Sequence, residues 1–469
     1  MIPIPLRDVA VLTSGSLHPS STAGDVLVDG SVVTDSRAAG PGSLYVARVG
    51  EHADGHAYVG AARDRGAVAA LTSRVVDDLP CVIVDDVQTA FGRLARGVVD
   101  RATTLTVVAV TGSSGKTSTK DLLAQVLGAA GETVAPVNSL NGEIGVPLTV
   151  CRVTPDTRFL VAEMGARGVG HLAYLTTIAP PDLAIVLNVG VAHVGEFGSR
   201  AAVAQAKGEL VEALRPDGLA VLNADDPEVA KMRSRTRARV VTVGSSVDAD
   251  IRAVDVRLDS LGRPTFTIEA PAGTAEVALR LSGAHHVGNA LAVVAAALEC
   301  GLDLDAVAQS LSDAHSASRW RMEVHERPDG VTVVNDAYNA NPDSMHAALD
   351  ALRAIGHGTG QSRRTWAVLG EMLELGELSR TEHEQVGRWA AELGTDRLVV
   401  VGAGAAALAD GATSVVDHTT EVTRVANADE AYDLLQSLLS PGDVVLLKSS
   451  RDAGLRWLGD RLAGIEVPA

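Results

Sequence analysis

Val107-Val108-Ala109-Val110-Thr111-Gly112-Ser113-Ser114-Gly115-Lys116-Thr117-Ser118-Thr119-Lys120 decides how the rest of the chain is read. The apolar, β-branched run from Leu105 to Val110 predicts a buried strand. A Gly/Ser loop stops it. Lys116 to Ala130 then resumes at helical spacing, with Leu122, Leu123, Val126 and Leu127 apolar. Strand, glycine loop and helix form the setting of a phosphate-binding loop. Gly112 and Gly115 let the main chain come close to phosphate oxygens, and the helix N-terminus offers unpaired N–H groups and a positive dipole end. Lys116 can reach the terminal phosphates of a nucleotide, and the Thr117 hydroxyl can ligate Mg²⁺. The first glycine of the GxxxxGK[ST] pattern falls at Val110, so the loop is the TGxxGKT[ST] variant.

The bulk composition narrows the rest. A chain of 469 residues has length for roughly three domains. Apolar residues make up 46% and aromatics only 3%, which suits α/β layers built on Ala, Val and Gly. The formal net charge is −18 with no long basic stretch, which argues against nucleic acid or anionic membrane as partners. An anionic substrate would need local Arg, Lys and Mg²⁺ to overcome that field. Cys81, Cys151 and Cys300 are scattered in apolar runs and match no metal-ligand spacing. No signal-peptide pattern opens the sequence and no apolar run approaches membrane-spanning length, so the expected location is cytoplasmic.

Residues 1–85 alternate short strands and turns: Asp25 to Gly30, Val32 to Arg37 and Leu44 to Ala47, then a helix from Ala57 to Arg65 and a strand from Gly66 to Leu71. Asp35-Ser36-Arg37 closes a strand with a hydroxyl and a guanidinium that could hold a diphosphate or a uracil edge; spacing alone favours a solvated turn. Residues 86–315 form a second unit around the phosphate loop. Its Pro136–Pro147 stretch, polar and punctuated by Gly and Pro, reads as a substrate-facing loop. Glu163 ends an apolar strand, where α/β proteins place metal ligands. His193 follows another strand end and could bind metal or phosphate, or simply be hydrogen-bonded.

Lys207 lies four residues after Val203 and three before Leu210, on the apolar face of a helix from Ser199 to Leu214. It either snorkels to the rim or is a desolvated amine with a lowered pKa, able to take up CO₂ as a carbamate and so ligate a second Mg²⁺. Helical position does not separate the two. Residues 316–469 repeat strand-helix units without GxGxxG, which implies a mostly parallel, Rossmann-like sheet. There Asp336, Asn339 and Asn341 crowd a strand-to-helix junction, with Pro342 opening the helix.

Taken together, TGSSGKTST, AEMGA, NVGVAHVGEFGS, AQAKGEL, GAHHVGN, RWRME, NDAYNANPDSM, LGEMLELG and LLKSSRD resemble, in content and order, the motifs of the Mur ligases of peptidoglycan synthesis. The resemblance covers essentially the whole chain, and NDAYNANPDSM with LGEMLELG is similar to the D-alanyl-D-alanine-adding branch. It implies three α/β domains: a UDP-precursor-binding domain (1–85), a central P-loop ATPase-like domain with a mostly parallel sheet (86–315) and a C-terminal Rossmann-like domain (316–469). It implies ATP-dependent joining of D-alanyl-D-alanine to UDP-N-acetylmuramoyl-tripeptide through an acyl phosphate, by a monomer.

Residue by residue, it implies that Gly112, Ser113, Ser114, Gly115, Lys116, Thr117 and Ser118 hold the ATP phosphates, with Thr117 and Glu163 on Mg²⁺. His193 and a carbamylated Lys207 would serve a second Mg²⁺, making Lys116, Glu163, His193 and Lys207 the catalytic set. Asn289 would contact the adenine, Arg321 and Asp336 would close over the nucleotide, and Ser36 and Arg37 would meet the UDP part. The dipeptide is expected near Asn339 and Asn341. Two positions depart from the family pattern: His286 stands for an Asn, and Ser449 for a Gly.

Overall fold

A computed structural model describes residues 1–20, 22–51, 53–190, 197–358 and 362–465. Strands β1 (Ile4–Pro5), β2 (Ser16–His18), β3 (Leu27–Val28), β4 (Val32–Val33), β5 (Ser43–Val46), β6 (Ala67–Thr72) and β7 (Cys81–Ile83) come first. β1 and β3 make a small antiparallel ladder. The other five form a sheet in the order β2-β7-β6-β5-β4, parallel except at β2.

Next come β8 (Thr106–Thr111), β9 (Thr133–Val134), β10 (Phe159–Glu163), β11 (Leu183–Val186), β12 (Leu219–Asn223), β13 (Arg239–Gly244), β14 (Ile251–Leu258), β15 (Pro264–Ala270) and β16 (Gly273–Ala278). Their order is β16-β15-β14-β13-β12-β11-β8-β10-β9, parallel from β9 to β14 and antiparallel beyond. The third sheet holds β17 (Glu323–Glu326), β18 (Thr332–Asn335), β19 (Thr365–Leu369), β20 (Arg397–Val401), β21 (Glu421–Val425) and β22 (Val444–Lys448), ordered β17-β18-β22-β19-β20-β21 and antiparallel only at β17.

The apolar run at β8 is continuous because both of its faces are buried. Val107 and Ala109 pack into a core with helix Val87–Arg101, and Val108 and Val110 into another with helices Lys116–Gly128 and His286–Glu299. β22 repeats the arrangement, with Val444 and Leu446 on one side and Val445 and Leu447 on the other. Strand ends on one edge therefore carry the polar residues, and the phosphate loop leaves from there.

Three local expectations change. The strand expected from Asp25 to Gly30 shrinks to Leu27–Val28, since β1, its ladder partner, offers only two residues. The helix expected from Ala57 splits into a 3₁₀ turn, Gly55–Tyr58, and helix Val59–Arg63; Asp54 caps the turn by accepting from His56 N. Helix Gly145–Val150 starts inside the expected 136–147 loop, with Pro147 tolerated in its first turn, where N–H groups lack intrahelical partners anyway. No described helix is long and apolar enough to cross a membrane.

Candidate functional site

The phosphate loop joins β8 to helix Lys116–Gly128. Gly115 has φ +79°, and a Cβ there would come within 2.6 Å of Asn289 Oδ1, so both conformation and space demand glycine. Asn188, just past β11, latches the loop: its Oδ1 accepts from Ser113 N at 2.8 Å and Ser114 N at 2.9 Å. Gly190 N donates to Ser113 Oγ at 2.9 Å. Lys116 Nζ donates to Gly112 O at 2.7 Å. Burial lowers the Lys116 pKa; Glu163 opposes that and Arg321 adds to it. The first amides of the helix have no intrahelical acceptor, so the loop is a ready anion cradle.

Glu163 ends β10 fully buried. Its Oε1 accepts from Ser139 Oγ at 2.8 Å and Asn141 Nδ2 at 2.7 Å. Its Oε2 is buried with no hydrogen-bond partner among the described residues, and Glu163 lines a cavity of about 750 Å³ that also takes in Thr117 and Lys116. An orphaned carboxylate oxygen is costly in isolation. With the Thr117 hydroxyl close to the loop it makes an oxygen donor set that fits a hard cation such as Mg²⁺.

Helix Arg200–Glu212 starts at a Ser199 cap and carries Lys207 inward. Lys207 is 5% exposed between buried Val203 and Leu210, so it does not reach the rim. Among the described residues its amine has no hydrogen-bond partner. Its pKa lies well below the ordinary lysine value because of burial, with Lys116 adding repulsion. The turn bearing it is clamped: a Cβ at Gly208 would fall 1.8 Å from Arg235 Nη1, and Arg235 donates to Ala204 O at 3.0 Å and Gln205 O at 2.8 Å. His193 lies outside the described residues.

The opposite wall comes from the third sheet. Arg321 Nη2 donates to Thr117 Oγ1 at 3.3 Å, and its guanidinium lies 4.3 Å from the Tyr338 ring centre. Trp320 and Met322 on either side have φ +58° and +51°, a conformation that costs about 1–3 kcal/mol per residue without glycine. Met322 N donates to Asp336 Oδ1 at 3.1 Å. Buried Lys448 donates to Asp336 Oδ2 at 2.5 Å and Asn339 O at 3.1 Å. Burial lowers its pKa too, but Asp336 opposes the shift. Asn341 caps helix Pro342–His357 and reaches Ser113 O at 3.4 Å through Nδ2. Gly190 faces the first turn of that helix so closely that a Cβ would lie 1.8 Å from Asp343 Oδ2.

Comparison with known proteins matches this geometry to a family. Residues 110–297 match the Mur ligase middle domain, and residues 320–451 match the Mur ligase glutamate ligase domain. The chain belongs to the Mur ligase family. It is 45% identical to the UDP-N-acetylmuramoyl-tripeptide–D-alanyl-D-alanine ligase of Mycobacterium tuberculosis, over 98% of both chains. Its fold superposes on MurF from Acinetobacter baumannii with a TM-score of 0.88, at 30% identity over 98% of this chain and 99% of that one. MurF from Thermotoga maritima, solved in complex with ADP, gives 0.80 at 27% identity, over 93% and 98%.

In this Mur ligase the central cavity brings together the loop from Gly112 to Ser118, Glu163, Lys207, Asn289, Arg321, Asp336, Asn339 and Asn341. Ser36 and Arg37 are not on its wall. They begin a 3₁₀ turn after β4, where Arg37 Nε and Nη2 donate to Asp35 at 3.0 and 2.8 Å. Hydrogen bonds from Arg37 hold the Asp35 carboxyl down at about 2. His286 is buried, with Nδ1 3.4 Å from Asn289 Nδ2 and Nε2 without a partner. Burial pushes its pKa well below the ordinary value, with His285 adding to the shift. Ser449 is fully buried against Gly370, where a Cβ would approach its own to 2.8 Å.

Four residues that sequence reasoning did not place in the site now belong to its support. These are Asn188, Asn141, Arg235 and Lys448. Asn188 had a signal, an amide just past a buried strand; Arg235 had none.

Proposed function

We propose that this Mur ligase joins D-alanyl-D-alanine to the terminal tripeptide carboxylate of UDP-N-acetylmuramoyl-tripeptide, driven by ATP, in the cytoplasm. The carrying observation is one cavity in which Lys116, Glu163 and Lys207 of the central sheet face Arg321, Asp336 and Lys448 of the third. The relatives are named for this reaction, and one solved neighbour holds ADP. In the proposed division, residues 1–85 hold the UDP precursor, 86–315 the ATP and 316–469 close over it.

The tripeptide carboxylate attacks the γ-phosphorus of ATP, the bond to the β-bridging oxygen breaks, and ADP leaves an acyl phosphate. The free amine of D-alanyl-D-alanine then attacks the acyl carbon. The C–O bond to phosphate breaks, and the amine releases a proton as the amide forms. An anion meeting a polyanion needs charge neutralised in place. Lys116 and the first amides of its helix hold the β- and γ-phosphates, and Arg321 approaches the same loop from the other wall. Thr117 and Glu163 would hold Mg²⁺, which when bound offsets charge on the phosphate oxygens. Lys207, desolvated, would carry CO₂ as a carbamate and, with His193, would hold a second Mg²⁺; its burial supports this reading.

Asn289 faces the adenine, Ser36 and Arg37 the UDP part, and Asn339 and Asn341 the incoming dipeptide. Closing the third domain over the central one would exclude water and protect the acyl phosphate from hydrolysis.

The test is phosphate release from ATP with precursor, adding D-alanyl-D-alanine or single amino acids. Release that requires both precursor and dipeptide is expected. Release with a single amino acid would move the enzyme to another ligation step, and ATP binding with no release for any amine would remove the ligase assignment.

A further inference from the structure

The strained turn that aims Arg321 is held from behind by the last described helix. Asp460, on helix Leu455–Leu462, is fully buried. Both of its carboxylate oxygens accept the Trp320 indole N–H at 3.0 Å, one also takes Asn335 Nδ2 at 3.2 Å, and Arg319 Nη2 pairs with it at 2.9 Å. The helix comes this near because residue 459 is glycine: a Cβ there would sit 2.3 Å from Asn335 Nδ2. On the other side of Arg321, Met322 N is bound by Asp336, the residue after Asn335. Both left-handed residues that bracket Arg321 are thus tied down, Trp320 by Asp460 and Met322 by Asp336. Left-handed backbone at two such side chains persists only where its surroundings over-determine it. Burying a carboxylate is itself unfavourable unless several donors meet it, as they do here.

We infer that Asp460 is a positioning residue for this ligase: by fixing Trp320 it sets the backbone around Arg321 and keeps that guanidinium on the phosphate loop. The inference rests on the reading of Arg321 as a nucleotide-phosphate contact. Asp460 touches no substrate. Its effect passes through the indole N–H, so it falls on nucleotide affinity and leaves the precursor site alone.

The experiment is calorimetric titration of a non-hydrolysable ATP analogue with Mg²⁺ into the full chain. Precursor titration and melting temperature are measured alongside. The variants are Asp460→Asn, Trp320→Phe, Arg321→Ala and the Asp460→Asn/Arg321→Ala pair. The amide keeps the shape of Asp460 but puts an NH₂ where a second donor is now accepted. Phenylalanine keeps a ring in the Tyr338 and Trp457 stack without the donor.

Asp460→Asn and Trp320→Phe should each weaken the analogue about tenfold, with precursor affinity unchanged and no further loss on top of Arg321→Ala. If Asp460→Asn does not fold, Trp320→Phe carries the test. The inference is overturned if both variants only lower the melting temperature, or if Asp460→Asn costs as much in the Arg321→Ala background. If Arg321→Ala weakens binding while the other two do not, the inference alone fails. If Arg321→Ala binds normally, the reading of Arg321 fails and takes the inference with it.

Discussion

Lys207 and Lys448 line the same cavity, each almost inaccessible to solvent, and they differ in company. Lys448 is matched by the Asp336 carboxylate and the Asn339 carbonyl. Lys207 has apolar neighbours on its own helix, no hydrogen bond among the described residues, and a repulsive influence from Lys116. Burial disfavours the charged form of both, but at Lys448 the Asp336 carboxylate opposes that shift. The same residue type, similarly buried, therefore sits in two electrostatic settings, one matched by a carboxylate and the other repelled by a second cation.

The largest effect should come from the charge that Lys207 feels. Lys116→Ala removes the phosphate-loop cation and should cut ligation roughly a thousandfold or more, measured as dipeptide-dependent phosphate release. Normal turnover by that variant would sink the loop assignment. Lys448→Met comes next: it strands the buried Asp336 carboxylate and should cost about 3–5 kcal/mol of stability in denaturant titration. A loss below 1 kcal/mol would mean that the pair is not matched as described above.

Lys207→Ala should abolish most activity yet recover part of it with added acetate or formate, since a free carboxylate can stand in for a carbamate. Absence of recovery would weaken the carbamate reading. The smallest effect separates the lysines by pH. Lys207 has a folded pKa below its unfolded one, so folding releases its proton. No penalty exists above the unfolded value near 10.4; it grows as pH falls towards the folded value and is constant below that. Lys207→Met should therefore raise the melting temperature of bicarbonate-depleted protein at pH 7, with the gain shrinking towards pH 10. A gain that does not depend on pH would point to packing instead.

Much of this is legible in the amino-acid sequence. The strand, loop and helix around Gly112 to Lys120 declare themselves because burial pattern and motif coincide over a short stretch. The depth of Lys207 was half legible: spacing placed it on the apolar face, but only the packing of helix Arg200–Glu212 shows that the residue is almost entirely buried beside the cavity. What stayed hidden was long-range. Arg321 meets Thr117 across 204 positions, and Asn341 meets Ser113 across 228, so no local periodicity encodes either contact. Arg37 shows another limit: a guanidinium near a hydroxyl reads as a candidate anion contact in sequence, and the fold adds that Asp35, two residues back, orients it. The antiparallel extension β14–β16 was also missed, although Phe266 and Ile268 alternate with Thr265 and Thr267 there; its outer strand, β16, is the mostly exposed one.

Gly190 carries a last consequence. Its missing side chain is the clearance that lets helix Pro342–His357 rest against the phosphate-loop side of the central sheet. Any residue larger than glycine there would have to displace the Asp343 carboxylate, on the same seam where Gly190 and Asn341 both hold Ser113. The seam thus joins the two halves of the site through main-chain contact as well as through ligand-facing side chains.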